Sequence, residues 1–407
     1  MMGLAKIGPD GWRYYAEEVG LGREDYFAGH GEEPGRWTGR GCKAIGLCGE
    51  VTPEQLSRLF GEGRHPVTGA ALGRPLVADS GGKEGRDAGK ERQGGVGQVA
   101  GYALSFSPPK SVSLLWALAE EAVSAEVRGA HEAAVDAALE LLQDHAAFTR
   151  RGHAGAVQAD TDGFVAAAFT HRTSRARDPQ LHTHVLASAK LRAATDGAWL
   201  SLDGRELYEV QKAAGLVYKA GLRAELTARL GVEWTPVDAS GAADIIGVPP
   251  ELAEHFSKRR AQVEARGAVL VAQREATLGR SLNASERATA YQLAAYQSRA
   301  AKAKPKGGEQ TEQLRECWRL EATNAGYPPE AWLGPLLRPR DGRNLAASAT
   351  QPSPRAGVEG AVAEALGALE EASSTWGRAD VVDALAARVA ATASGSASCV
   401  IRSNPDT

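Results

Sequence analysis

Three of the nine histidines in this 407-residue chain, His171, His182 and His184, fall within fourteen residues. Side chains of an extended strand alternate between faces, so His182 and His184, two apart, point the same way. His171 ends the run Phe164–Thr170, which also reads as a strand, and ten residues including Asp178-Pro179 separate it from His182. If the two strands pair antiparallel, the three imidazoles converge. Three neutral imidazoles leave coordination positions open, which is the pattern of a catalytic rather than a structural metal centre. Arg172, Arg175 and Arg177 lie between them, and that much positive charge beside a metal suits an anion such as phosphate. The plainer alternative is a surface loop with adventitious metal affinity.

The elements that must position these residues are legible from patterning. Val99–Phe106 alternates as a strand. Ser107-Pro108-Pro109-Lys110-Ser111 opens a helix with Ser107 as cap, and places Lys110 where free N–H groups suit a phosphate. Val123, Val127, Ala130, Ala134, Ala138 and Leu141 give 120–148 the period of a long amphipathic helix, in which His131 and His145 read as structural. A strand is expected at 153–158. Another continues from His184 to about Leu191, carrying Lys190 and Arg192 on the face of His184, and returns through Thr195-Asp196-Gly197 as a hairpin over 198–202. A helix over 206–230 is stopped by Gly231. Thr52-Pro53-Glu54-Gln55 is a capping-box helix start. Residues 61–98 read mostly as a Gly- and charge-rich loop, 249–330 as polar helices, 334–358 as a linker and 359–391 as an Ala-rich helical tail. The fold class expected is α+β.

Composition bounds the partners. A net charge of -3 argues against a uniformly basic nucleic-acid coat. Cysteines at 42, 48, 317 and 399 form no paired CxxC motif and no disulfide framework. With no apolar run of membrane-spanning length and no secretory start, a soluble cytoplasmic chain is expected. No GxxxxGK[ST] motif is present, so no P-loop is expected. Tyr14, Tyr15 and Tyr26 read, on spacing alone, as core aromatics.

Several blocks together give the chain a resemblance to the conjugative relaxases of the TrwC/TraI (MobF) type, in the HUH endonuclease superfamily. They are Met1-Met2, Tyr14-Tyr15, Tyr26-Phe27, Gly35-Arg-Trp37-Thr-Gly-Arg-Gly41, Gly101-Tyr-Ala-Leu-Ser-Phe-Ser-Pro-Pro-Lys-Ser-Val-Ser113, Phe169-Thr-His171 and Gln180-Leu-His-Thr-His184. The resemblance runs in order from residue 1 to roughly 300. It implies a central antiparallel sheet of about five strands, flanking helices and a helical C-terminal extension closing over single-stranded DNA. Tyr14 would attack the scissile phosphate of origin-of-transfer DNA, leaving a 5′-phosphotyrosine and a free 3′-OH, and Tyr26 would serve a further strand-transfer step. His171, His182 and His184 would hold one divalent ion (Mg, Mn, Zn or Ni), and Lys110, Arg172, Arg177, Lys190 and Arg192 would meet DNA phosphates. The implied partners are single-stranded DNA, a coupling protein and accessory relaxosome proteins, with the chain a monomer in the bacterial cytoplasm. The domain division expected is 1–300 for the nuclease, 301–333 for a helical extension, 334–358 for a linker and 359–407 for the start of an incomplete following domain.

Two departures stand out. Ala103 occupies the position of a family Asp whose carboxylate would hydrogen-bond a ligand imidazole, and the second tyrosine pair is Tyr26-Phe27. A rolling-circle replication initiator, or a catalytically weakened DNA-binding relative, is the rival expectation.

Overall fold

The histidine-bearing strands lie at the centre of the molecule. The computed structural model describes residues 2–16, 34–76, 98–238, 240–300, 311–337 and 380–384. Its strands are β1 (Met2–Ile7), β2 (Arg36–Thr38), β3 (Gly101–Phe106), β4 (Thr149–Arg151), β5 (Val157–Ala159), β6 (Ala166–Thr173), β7 (Pro179–Ser188), β8 (Lys190–Arg192) and β9 (Trp199–Ser201). A five-stranded sheet runs in the order β1-β3-β7-β6-β2, its recorded pairings antiparallel, while β4-β5 and β8-β9 form separate two-stranded ribbons.

Period-two alternation divides the sheet into two faces. Leu104, Phe106, Ala166, Ala168, Leu181, Val185 and Ala187 point into the main core. There they meet helices α1 (Lys110–Leu118), α2 (Glu121–Ala146) and α3 (Gly204–Leu230). Each fully buried Leu or Phe in that layer contributes about 1.5–3 kcal/mol. On the opposite face Ala103, Val165, Ala167, Phe169 and Leu186 pack against Trp12, Trp37, Leu56 and Phe60. The same face ends in the histidines, so a single alternation sets both the apolar floor and the polar site.

Several local expectations hold. Gly231 closes α3 in the left-handed conformation at φ 66°. Thr52 and Gln55 make both halves of the capping box, at 3.3 and 3.0 Å. The β8–β9 hairpin forms, with Asp196 Oδ1 accepting from the Ala198 N–H at 3.0 Å. Three differ. Ser107 does not cap α1: the helix begins at Lys110 with Pro109 at the N-cap and no side-chain bond, which leaves Ser107 two residues outside the capping position. Where a strand was expected at 153–158, His153–Gly155 forms a tight turn between β4 and β5, and only Val157 and Gln158 of that span are in a strand. The linker expected from 334 begins inside a helix, because the helix Pro329–Leu337 continues through Pro335.

The helical part comprises α4 (Pro250–His255), α5 (Lys258–Leu278), α6 (Ala284–Ala300), α7 (Thr311–Asn324) and α8 (Pro329–Leu337). Helix α7 is bound tightly to the nuclease core. Arg315, 2% exposed, donates to the Ala117 carbonyl at 3.3 Å and Ser124 Oγ at 2.8 Å, and also to the Ala119 carbonyl and the Glu121 carboxylate. Arg319 adds bonds to the carbonyls of Leu118 and Ala119 at 3.3 and 3.0 Å. The last carbonyls of a helix have no intrahelical donor, so two arginines from α7 satisfy the C-terminus of α1 and complement its dipole. Much of the expected loop at 61–98, and most of the tail, lie outside the described residues. Within the tail, Val382 packs into the main core. Among the described residues no helix is long and apolar enough to cross a membrane.

Candidate active site

Strands β6 and β7 place His171 directly opposite His182, with a register shift just after His171. His184 is flanked by Phe169 on β6 and Ser105 on β3. The three rings form a nearly equilateral triangle, with centroids 5.2 Å apart for His171–His182, 5.3 Å for His171–His184 and 5.1 Å for His182–His184. Imidazoles sharing one ion at about 2.1 Å, with near-tetrahedral angles, place their centroids about 5 Å apart. Among the described residues no three side chains stand at finished ligand geometry. What fits a metal is the donor set: three imidazoles on paired strands at the spacing a shared ion imposes.

The electrostatics keep those donors neutral. Burial comes first in every case. It holds His171 well below the usual imidazole range, aided by His182, His184 and Arg172. His184 is brought down to about 3 by burial and then by His182. Burial lowers His182 against the opposing bond to Gln180, and the Lys110 cation adds to the shift. A neutral imidazole has a lone pair to give.

Hydrogen bonds choose the nitrogen. The Gln180 carbonyl, 3.0 Å from His182 Nδ1, can only accept, so Nδ1 carries the proton and Nε2 is left to coordinate. His184 Nδ1 lies 2.8 Å from Ser105 Oγ. This bears directly on Ala103, which faces Leu186 in the apolar cluster and is 2% exposed. The group that orients His184 is thus a hydroxyl two residues further along β3. Alternation places 103 and 105 on one face, but only the β3–β7 register shows which of them meets the histidine.

Tyr14 lies on a short helical turn, Arg13–Ala16, and is 39% exposed. Arg175 Nη2 donates to its hydroxyl at 2.9 Å, and the guanidinium lies 5.7 Å from the ring centroid. The loop joining the two histidine strands therefore reaches the tyrosine, across 161 positions of sequence. Sequence reasoning put Arg175 in the basic cluster without tying it to Tyr14. The loop is braced from several sides. Ser174 N–H donates to the Asp178 carbonyl at 3.0 Å, and Arg177 N–H to the Ser174 carbonyl at 2.9 Å. Arg177 is left-handed at φ 63°, and Trp318 of α7 donates to its carbonyl at 2.9 Å. Asp178, 1% exposed, lies 3.6 Å from the Lys258 ammonium and accepts from the Arg259 N–H at 3.4 Å. Tyr26 lies outside the described residues.

The five residues expected at DNA phosphates do not share one environment. Lys110 Nζ donates to the Pro179 carbonyl at 2.8 Å. Burial brings its ammonium down to about 8, opposed by Asp178 and reinforced by Lys258. Arg172 donates to the Thr311 hydroxyl, and Arg177 is exposed. Lys190 requires a correction: it is 5% exposed and its Nζ donates to the Arg74 carbonyl at 2.5 Å, bracing the segment after Gly63. Strand β7 ends at Ser188 and β8 belongs to another ribbon, so the alternation counted from His184 does not extend to Lys190 or Arg192. Arg192 is paired with Asp162 at 2.6 Å. His131 is structural, as expected. Fully buried, it bonds Tyr218 Oη at 2.9 Å and Thr183 Oγ1 at 2.8 Å, on the face of β7 away from His182 and His184.

These features define a class of α+β protein in which an antiparallel sheet, covered by helices on one side, carries three convergent histidines on two strands whose connecting loop touches a tyrosine. The chain belongs to the TrwC relaxase family, which matches residues 9–325. It is 29% identical over 262 residues to the multifunctional conjugation protein TraI of Escherichia coli (strain K12), covering 62% of this chain and 13% of that one. A second Escherichia coli TraI is 31% identical over 233 residues, covering 55% of this chain and 12% of its own length. The chain thus spans only a small part of these relatives. Among solved structures it resembles the conjugative relaxase TrwC in metal-bound complex with oriT DNA, at 28% identity and a TM-score of 0.59, covering 81% of this chain and all of that one. The copper-bound TrwC–oriT complex gives 26% identity and 0.58 with the same coverage.

Proposed function

We propose that the chain is a conjugative relaxase that nicks and rejoins one strand of origin-of-transfer DNA in a site-specific way. The observation that carries this reading is the contact between Tyr14 and the loop joining the histidine strands. It ties Tyr14 to a cation on the loop between the two strands that carry the histidines, which supports a shared role for the tyrosine and the three imidazoles. Tyr14 Oη attacks the scissile phosphorus and the P–O3′ bond breaks, giving a 5′-phosphotyrosine and a free 3′-OH. Because the phosphotyrosine conserves the bond energy, the reverse attack by a 3′-OH rejoins the strand without ATP. Tyr26 is the candidate for a second transfer.

His171, His182 and His184 would hold one divalent ion, which when bound supplies Lewis-acid polarisation of a non-bridging phosphate oxygen. Imidazole donors favour Mn, Zn, Ni or Cu over Mg, which prefers oxygen ligands. Arg172, next to His171 on β6, and Arg177, exposed on the loop that follows, are the best placed of the expected residues to meet DNA phosphates. A coupling protein and relaxosome proteins are the proposed partners, and the bacterial cytoplasm the proposed location.

The test is covalent capture. Single-stranded oligonucleotides tiled across the DNA flanking the gene are incubated with the protein and Mn²⁺, and adducts are located by mass spectrometry. One oligonucleotide should attach at Tyr14, and Tyr14→Phe should abolish that adduct. Absence of any adduct, even with Ala103→Asp, overturns the enzymatic reading. Cleavage confined to replication-origin strands would favour an initiator.

A further inference from the structure

We propose that Arg175 is a catalytic residue, holding the Tyr14 hydroxyl and stabilising the negative charge that develops on its oxygen in both nicking and rejoining. The inference rests on the relaxase reading of this site. One contact carries it: the 2.9 Å bond from Nη2 to the phenol oxygen, with the guanidinium 5.7 Å from the ring centroid of the same side chain. Arginine has no acceptor and keeps its proton, so it acts only as a donor. As the Tyr14 Oη–P bond forms, the P–O3′ bond breaks. The phenol proton passes to water and O3′ takes one up, while Arg175 stays charged throughout. On rejoining, Tyr14 Oη is the leaving group, and the same donor meets the same charge.

The loop makes this a fixed contact rather than a chance one. Arg175 lies between Ser174 and Arg177, whose backbones are held by the Asp178 carbonyl, by each other and by Trp318. A donor already in place when charge appears spends nothing on reorganisation, and removal of one such donor typically costs about 10²–10³-fold in rate. The neighbouring arginines differ, since Arg172 is directed at Thr311 of α7.

The experiment separates catalysis from DNA binding. Adduct formation is followed in single turnovers at saturating oligonucleotide, and Kd is measured by fluorescence anisotropy across a salt series. Arg175→Ala should slow adduct formation by about 10²-fold, with its Kd and salt slope close to those of the parent. Arg175→Lys should recover part of the rate, since the charge is kept and the fork is lost. An unchanged rate overturns the proposal. So does a loss confined to Kd with the salt slope reduced by about 1, which would make Arg175 a phosphate contact. No adduct from the parent protein overturns the relaxase reading itself, a distinct result.

Discussion

Replacing Ser105 with alanine removes a single hydroxyl, and with it the 2.8 Å bond to His184 Nδ1. Loss of such an outer partner typically costs about 10–100-fold in metal affinity. A neutral hydroxyl raises the basicity of a ligand imidazole less than a carboxylate does, so the lower end applies, about 10-fold or about 1.4 kcal/mol. The fold should persist, because one neutral hydrogen bond is worth only about 0.5–1.5 kcal/mol net. Calorimetric titration of Zn²⁺ and Mn²⁺ into the protein reads the affinity, and thermal melting of the metal-free protein reads the fold. Ser105→Thr keeps the hydroxyl on a β-compatible residue and should bind as the parent does. Residue 103 is the diagonal neighbour of His184 on the same face, about 7–8 Å away, within reach of a carboxylate. Ala103→Asp should therefore restore affinity to Ser105→Ala. Parental metal affinity in Ser105→Ala would refute the assignment of Ser105 as the residue that orients His184.

Acid should destabilise the fold through its buried histidines. His131 and His184 are brought down to about 3, and His171 and His182 are lowered as well, with burial the first cause in each. Unfolded imidazoles take up protons near pH 6.5 while the folded ones resist, so the unfolded state binds more protons and stability falls as pH drops from about 6.5 towards 3. A melting temperature that stays constant from pH 7 to 4.5 would contradict this. Arg315→Ala should cost about 2–4 kcal/mol, read from urea denaturation, because it strips donors from buried carbonyls and Ser124. A shift below about 0.5 kcal/mol would mean that water replaces the guanidinium.

Much of the fold is local and was therefore legible. Gly231 at a helix end, the reciprocal Thr52–Gln55 cap and the Asp196-Gly197 turn each depend on residues within a few positions. The histidine triangle was legible too, because period two and one antiparallel pairing suffice to converge His171, His182 and His184. What escaped the sequence depends on register and on long-range contact. Ser105 meets His184 only once β3 and β7 are aligned. Lys190 was misplaced because the strand breaks at Ala189, which no single residue announces. Arg175 and Tyr14 are brought together by tertiary packing alone.

Helix α7 changes what counts as the smallest self-sufficient piece of this protein. A chain ending at residue 300 would keep Tyr14, all three histidines and Ser105. It would lose Arg315 and Arg319, which finish the C-terminus of α1, and Trp318, which holds the left-handed turn at Arg177. The inventory of chemical groups would be complete, yet the loop that offers Arg175 to Tyr14 would lack its outer brace. The fragment boundary therefore falls beyond Asn324, inside what composition alone marks as an appendage. A proteolytic cut between 300 and 311 should leave two pieces that purify together.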